Sequence, residues 1–208
     1  MPDRRTEILD NALTVLAEHG MRGLTHRAVD QAAGLPAGST SYYFRTRDAL
    51  VSGCARRLLE LDQPEVRIGD KPDDKPDGPR KPGEPKELDE PGRKDLDMLV
   101  DQATEACVRM VTTEAHRTRA RYELALQAIR SPALHEEMAE AGSQLRGLIA
   151  ALLKTLGVSE PERAVEEIAA VMDGLVLTAL VRGPHEQAQL RRWLRPPLHR
   201  VLSAYLPH

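Results

Sequence analysis

Apolar residues recur at helical spacing from the start of this chain. Between residues 8 and 17 they follow one another so as to form one apolar stripe along a helix. Gly20 is expected to end this helix, because glycine readily adopts the left-handed conformation that closes many helices. Thr25 and Thr46 supply capping hydroxyls for a second and a fourth helix. A third, short helix is expected between them, after a break at Gly34.

The same periodicity returns near residue 95 and continues almost to the end of the chain. Gly157 separates two of the helices in this half, and Gly183 separates the last two. Pro196 and Pro197 are expected to kink or restart the last helix, since proline lacks an amide donor. The predicted helices of this half are 95–113, 114–130, 132–156, 161–182 and 186–206.

The stretch 63–94 differs from both of its flanks. It holds seven of the fifteen prolines, alternating charges and almost no apolar residues. Such a composition cannot bury enough surface to offset the entropy that is lost on ordering. We therefore predict a disordered or extended linker here, between a domain at 1–62 and a helical domain at 95–208.

Composition supports an all-α fold. Aromatic residues make up 3% of the chain, and Ala and Leu dominate the apolar set, which favours helices over strands. Cys54 and Cys107 have no paired spacing and are expected to be small buried residues of a reducing compartment. No apolar run reaches the ~20 residues that span a bilayer. We expect a soluble, cytoplasmic protein that makes no membrane contact.

Charge is distributed unevenly along the chain. The net charge is −3, which by itself argues against a nucleic-acid partner. Between Arg22 and Arg57, however, six arginines stand against two acids, which leaves an excess of four positive charges. A phosphate backbone responds to such a local basic surface rather than to the sum over the whole chain.

The polar third helix indicates a binding surface. Residues 37–43 read AGSTSYY and offer too little apolar surface for a core element. Ser, Thr and Tyr side chains can reach base edges and phosphates when a helix enters the major groove of DNA. The alternative is an ordinary surface hairpin, because generic helix-turn-helix patterns are common by chance.

A longer motif favours a DNA-binding helix over an ordinary surface hairpin. The pattern T-x-R-x-V-x-x-x-A-G-L-P-x-G-S-x-x-Y-Y-F-x-x-R-x-x-L, at residues 25–50, resembles the signature of TetR-family regulators. The resemblance implies an N-terminal three-helix helix-turn-helix DNA-binding domain and a C-terminal helical domain for ligand binding and dimerisation. It also implies a homodimer on a palindromic DNA operator, released by a small-molecule effector. Repression is the default, and activation by the same contacts stays open.

By position, the resemblance implies DNA contacts from the second, third and fourth helices. Arg47 would clamp a phosphate at the start of the fourth helix, where backbone N–H groups also help. The chain departs from the usual family pattern at Asp30, where a small Ala is common, and at Ser41, where Tyr is common. The expected DNA-binding residues are Thr25, Arg27, Ala37, Gly38, Ser39, Ser41, Tyr42, Tyr43 and Arg47.

The resemblance also places a dimer seam on the last two helices and a ligand pocket among the helices before them. The alternative for the seam is that its apolar stripe only seals the monomer. The alternative for each pocket candidate is an ordinary core residue or a solvated one. The expected seam residues are Ile168, Met172, Leu175, Ala179, Leu190, Trp193, Leu194, Leu198, Val201 and Leu202. The pocket candidates are Cys107, Met110, His116, Arg121, Tyr122, Leu126 and Met138.

Motifs for catalysis are missing from the sequence. It contains no G-x-S-x-G, no H-E-x-x-H, no P-loop and no Rossmann glycine pattern. We therefore expect neither an enzyme nor a bound metal or cofactor. A helical protein–protein adaptor remains an alternative function, although it would not explain the polar third helix or the local excess of arginine.

Overall fold

The structure is a computed structural model that describes residues 3–62 and 90–205. Within these ranges all regular secondary structure is helical, and no helix is both long and apolar enough to cross a membrane. The helices are α1 (Arg4–Gly23), α2 (His26–Ala32), α3 (Ser39–Tyr43), α4 (Arg47–Asp62), α5 (Glu90–Val111), α6 (Ala115–Ala128), α7 (Pro132–Thr155), α8 (Pro161–Arg182) and α9 (Gln187–Ser203).

The predicted start and stop signals act where the sequence places them. The Thr25 hydroxyl accepts a hydrogen bond from the Ala28 amide at 3.1 Å, and the Thr46 hydroxyl accepts one from the Ala49 amide at 3.1 Å. Both therefore satisfy donors that the first turn of a helix leaves unpaired. Gly20 has φ 64° and ψ −174°, which interrupts α1 although one further turn follows before α2.

Two predictions in the second half need correction. Helix α5 begins at Glu90 rather than at residue 95, so the end of the predicted linker is helical. The rest of that linker, 63–89, lies outside the described residues. Helix α9 also continues through Pro196 and Pro197, so of the two expected effects, a kink or a restart, the restart does not occur. The fully buried Leu194 and Leu198 flank the proline pair, and their packing holds the helix together where amide donors are missing.

The core of the N-terminal region is shared with the C-terminal half. Apolar side chains of α1 and α4 pack with Phe44 in one cluster. Helix α6 adds Ala120, Leu124 and Ala128 to this cluster, and α7 adds Leu134. Leu124 is fully buried, and burial of its side chain contributes about 2 kcal/mol to the stability of the folded protein. Residues 1–62 therefore do not close their own hydrophobic core.

Most of the predicted dimer-seam residues lie in the core of the single chain. The stripe on α9 packs along α5 and α8, because those helices present apolar faces of the same chain to it. The residues that the single chain itself buries are Ile168, Ala179, Leu190, Leu194, Leu198 and Leu202, whereas Met172, Leu175 and Val201 are partly buried. Of the predicted set, only Trp193 is a large exposed side chain, at 37%.

Ion pairs fasten α9 to α5 outside this core. Arg191 donates to both carboxylate oxygens of Glu105, at 2.5 and 3.0 Å, and these bonds lower the pKa of Glu105. One turn along, Arg195 donates to Asp97 at 2.9 Å and to Asp101 at 3.0 Å. The acids follow one another at a spacing of four residues on α5, so they meet arginines at the same spacing on α9.

Gly53 provides a test of the packing in the N-terminal cluster. A Cβ at this position would lie 2.8 Å from Phe44 Cε1 and 2.9 Å from Leu9 Cδ2. We expect Gly53→Ala to lower the free energy of unfolding by about 1–3 kcal/mol, because these contacts overpack the core. Urea denaturation measures the change.

The matched control is Gly147→Ala in α7, where a Cβ meets nothing within 4 Å. Alanine should raise the unfolding free energy there by up to about 1 kcal/mol, through its higher helix propensity. Equal effects at the two sites would contradict the close approach of α4 to Phe44.

Candidate nucleic-acid interface

Helices α2 and α3 and the turn between them form a helix-turn-helix. The Leu35 amide donates to the Asp30 carbonyl oxygen at 2.8 Å and closes the end of α2. Gly34 has φ 63° and Gly38 has φ 91°, a region that favours glycine because it lacks a Cβ. The two glycines therefore set the direction in which α3 leaves the turn.

A buried carboxylate on α2 holds the start of α3. Asp30 accepts hydrogen bonds from the Gly38 amide at 2.8 Å, the Thr40 amide at 2.7 Å and the Thr40 hydroxyl at 2.6 Å. Asp30 is 5% exposed and Thr40 is fully buried. Desolvation raises the pKa of Asp30, but the bonds from Thr40 and Gly38 outweigh it, and the pKa lies below its ordinary value.

The sequence pattern does not reveal this contact. It marks Asp30 only as a departure from a family pattern and Thr40 only as one member of a polar helix. The spacing of ten residues between them crosses a turn whose path depends on Gly34 and Gly38. A helical pattern cannot report a contact of that kind, because the turn geometry decides which side chains meet.

The remaining predicted residues of α3 and its turn reach the surface. Tyr42 is 80% exposed and Tyr43 is 37% exposed, and their rings meet edge to face at 5.2 Å. Ser39 donates its hydroxyl proton to the Pro36 carbonyl oxygen at 2.6 Å, so a base contact would have to share that group. Phe44 is buried beneath the Arg5 guanidinium. The other predicted residues, Ala37, Gly38 and Ser41, are exposed.

The start of α2 lies beside the end of α3. Thr25 and Arg27 are exposed, and the Thr25 hydroxyl already caps α2. Between them, His26 Nε2 donates to the Phe44 carbonyl oxygen at 2.6 Å. This bond closes the helix-turn-helix at the end opposite to the contact of Asp30 with α3.

Arg47 lies at the start of α4, where the sequence predicts it, and its guanidinium already has partners. Nε donates to the Leu24 carbonyl oxygen at 3.4 Å, and Nη2 donates to the Met21 carbonyl oxygen. The residue remains exposed. Since arginine carries five N–H donors, these bonds orient the group and leave others available.

The basic surface is narrower than the arginine count suggested. Arg57 pairs with Asp10 at 2.7 Å and with Glu60 at 3.0 Å, and Arg56 pairs with Glu137 at 3.1 Å. These pairs neutralise two of the six arginines in that segment. The others, Arg22, Arg27, Arg45 and Arg47, are exposed and form no ion pair with any residue that the structure describes.

The candidate pocket residues do not converge on one site. Met138 packs against the N-terminal cluster, and His116 and Leu126 are exposed. Arg121 forms an ion pair with Asp62 at the end of α4. The three that do lie together are Cys107, Met110 and Tyr122, in one cluster formed by α5, α6, α8 and α9.

Tyr122 also contacts Asp173, a residue that the sequence pattern did not single out. The Tyr122 hydroxyl donates to the Asp173 carbonyl oxygen at 3.2 Å and so joins α6 to α8. Burial raises the pKa of Cys107 and of Tyr122 to about 12. Desolvation also raises the pKa of Asp173, although Arg121 opposes it. Among the described residues no group of His, Cys, Asp and Glu could hold a metal ion.

Helix α6 connects this cluster to the helix-turn-helix. Glu123 accepts a hydrogen bond from the Met21 amide at 3.0 Å, just after the interruption of α1 at Gly20. The Met21 carbonyl oxygen in turn accepts from Arg47. A continuous set of hydrogen bonds therefore runs from α6 through the turn before α2 to the start of α4.

Known proteins resemble both halves of the chain. Residues 8–54 match the family described as "Bacterial regulatory proteins, tetR family", and residues 94–204 match "Tetracyclin repressor-like, C-terminal domain". The HTH-type transcriptional repressor KstR2 of Rhodococcus jostii is 40% identical over 57 residues. That match spans 27% of this chain and 28% of the curated relative.

Solved structures share the whole fold. A transcriptional regulator from Rhodococcus sp. Rha1 superposes with a TM-score of 0.68 at 17% identity, covering 98% of this chain and 96% of that one. The multidrug binding protein EbrR complexed with ethidium gives a TM-score of 0.61 at 26% identity, with coverage of 94% and 98%. The C-terminal family match alone takes in more than half of the chain. This chain belongs to the TetR family of bacterial regulatory proteins.

Proposed function

We propose that this protein is a DNA-binding transcriptional regulator, and specifically a repressor. It binds a palindromic operator as a homodimer and leaves it when a small-molecule effector binds. The observation that carries the proposal is the exposed polar surface of α3, flanked by arginines that have no ion-pair partner among the described residues. Helix-turn-helix proteins place such a surface in the major groove, with cations against the phosphates on either side.

The proposed DNA contacts divide into two kinds. Ala37, Gly38, Ser39, Ser41, Tyr42 and Tyr43 face the base edges and the adjoining backbone. Arg47 lies against a phosphate, and Thr25 and Arg27 contact the DNA backbone or the edge of the groove. Contacts of arginine with phosphates add affinity without reading sequence. The bonds that Arg47 makes to the turn before α2 support this role, because they fix the guanidinium before DNA arrives.

A dimer surface is proposed on the outer faces of α8 and α9. Leu177 is 48% exposed, Val181 is 75% exposed and Trp193 is 37% exposed. A Cβ at Gly174 would meet nothing within 4 Å in the single chain, which leaves room for close approach of a second copy. Exposed apolar side chains on neighbouring helices favour association, since the contact removes them from water.

An organic cation is the effector class that the described groups favour. The carboxylate of Asp173 forms no ion pair with a described residue, and the Tyr122 hydroxyl on α6 donates to the backbone carbonyl oxygen of the same residue. A carboxylate and an aromatic ring together suit a delocalised positive charge. The structural relative EbrR is complexed with ethidium, which is such a cation.

The proposed route of release passes through α6. Tyr122 contacts α8, and the adjacent Glu123 accepts from Met21 in the turn before α2. A ligand that shifts α6 would therefore move the turn to which Arg47 is bonded. Effector and operator are coupled when each favours a different position of that helix.

Retention of DNA by the purified protein tests the proposal as a whole. Sheared genomic DNA is passed over the protein at moderate salt, and the retained fragments are sequenced. Recovery of one or a few sites with palindromic symmetry is expected. Random retention, or none at several salt concentrations, would count against a regulator and favour a helical adaptor.

Arg47→Ala should weaken binding to every DNA sequence and reduce the slope of log K against log salt by about one unit. The loss of one phosphate contact releases one fewer counterion, which is the reason for the change of slope. Fluorescence anisotropy across a salt series measures it. Arg56→Ala is the control, since Arg56 is paired with Glu137, and an equal change in both variants would refute the assignment.

Val181→Asp should convert the dimer to a monomer, because it places a charge in the proposed apolar contact. Sedimentation velocity at micromolar protein separates the two states. The matched control is Leu148→Asp on α7, another exposed apolar residue at 59%. A dimer that survives Val181→Asp, or is lost equally with Leu148→Asp, would contradict this surface.

Asp173→Asn should weaken ethidium binding about tenfold, equivalent to ~1.4 kcal/mol. Titration calorimetry on the protein without DNA measures it, with Glu162→Gln, also on α8, as the control. Binding to the unsubstituted protein should also weaken as pH falls through the raised pKa of Asp173, since the protonated acid carries no charge. An unchanged affinity of Asp173→Asn for ethidium would contradict the proposal that the effector is an organic cation bound at Asp173.

A further inference from the structure

Helix α3 is too short to hold its own position. It contains five residues, and the residue at its N-cap, Gly38, has no side chain that could cap it. A helix of this length is unstable in water, because nucleation costs more than a few hydrogen bonds return. Its geometry must therefore be imposed by neighbouring groups.

Asp30 supplies the missing cap from another helix. One oxygen accepts from the Gly38 amide and the other accepts from both the amide and the hydroxyl of Thr40. A charged acceptor near the first amides of a helix also interacts favourably with the positive end of its dipole. Because Asp30 and Thr40 are both buried, water does not compete for the two bonds between them.

We infer that Asp30 is a positioning residue for sequence readout, an inference that rests on the proposed DNA-binding function. Its carboxylate fixes the rotation and the depth of α3, and thereby determines where Ser41, Tyr42 and Tyr43 lie against base edges. The arginines that meet phosphates on α2 and α4 do not depend on it. Loss of the carboxylate should therefore affect discrimination between sequences more than general affinity for DNA.

Selection from a random-sequence duplex library separates the two effects. The unsubstituted protein should enrich a defined motif, and failure to do so would refute the proposed function itself. Asp30→Ala should enrich a degenerate motif, with the ratio of specific to random-DNA affinity reduced by roughly tenfold to a hundredfold, the range for one or two lost base contacts. Its affinity for random DNA and its salt dependence should stay within twofold.

Two graded variants keep the test independent of folding. Asp30→Asn retains the volume and one acceptor oxygen, but its amide donor faces an N–H group, so an intermediate loss of discrimination is expected. Thr40→Val removes only the hydroxyl bond and should have a smaller effect in the same direction. Gln31→Ala, on an exposed position of the same helix, should leave the motif unchanged.

The thermal midpoint is recorded for each variant to identify a purely structural role. If affinities for the selected motif and for random DNA fall in proportion, and follow the midpoint, Asp30 only stabilises the fold and the inference is overturned. It is also overturned if Asp30→Ala and Asp30→Asn enrich the same motif as the unsubstituted protein. Loss of discrimination in Asp30→Asn with an unchanged midpoint supports it.

Discussion

The packing of α1 between α4 and α6 is the contact on which both halves of the molecule depend. The buried face of α1 carries Ile8, Leu13 and Leu16, and it cannot be covered by α4 alone. Leu124 and its neighbours on α6 complete that cover from the C-terminal half. The helix-turn-helix therefore rests on a core to which the second half of the chain contributes.

A shared core makes the two halves mechanically connected. Tightly packed side chains transmit displacement rather than absorb it, because interiors have few voids. The hydrogen bond from Met21 to Glu123 adds a polar contact on the same side of α1. A change in the position of α6 must be accommodated either in this core or in the turn before α2.

Local features of the fold could be predicted from sequence because they depend on local chemistry. Thr25 and Thr46 cap helices through amides three residues ahead, and Gly20 interrupts α1 through its own φ angle. The break at Gly34 likewise predicts the short polar helix α3, and its surface exposure follows from its composition. Each of these depends on residues that are close together along the chain.

The errors come from contacts between distant residues. The apolar stripe on α9 predicts that its leucines lie in a dimer contact, but a stripe does not state which helix covers it, and α5 of the same chain does. The sequence adds Arg57 to the basic surface, although Asp10 on α1 neutralises it. The contact of Asp30 with Thr40 depends on the path of a turn. Only the tertiary arrangement supplies that information.

The way α3 is fastened also affects how this protein could acquire new binding preferences. The buried side chain of Thr40 holds the helix through its bond to Asp30, whereas the side chains of Ser41 and Tyr42 are exposed and take no part in holding it. Outward positions can therefore be exchanged during evolution, or by an engineer, without losing the scaffold that presents them. Asp30 and Thr40 would then have to stay constant, and the exposed positions beside them would be the ones that can vary.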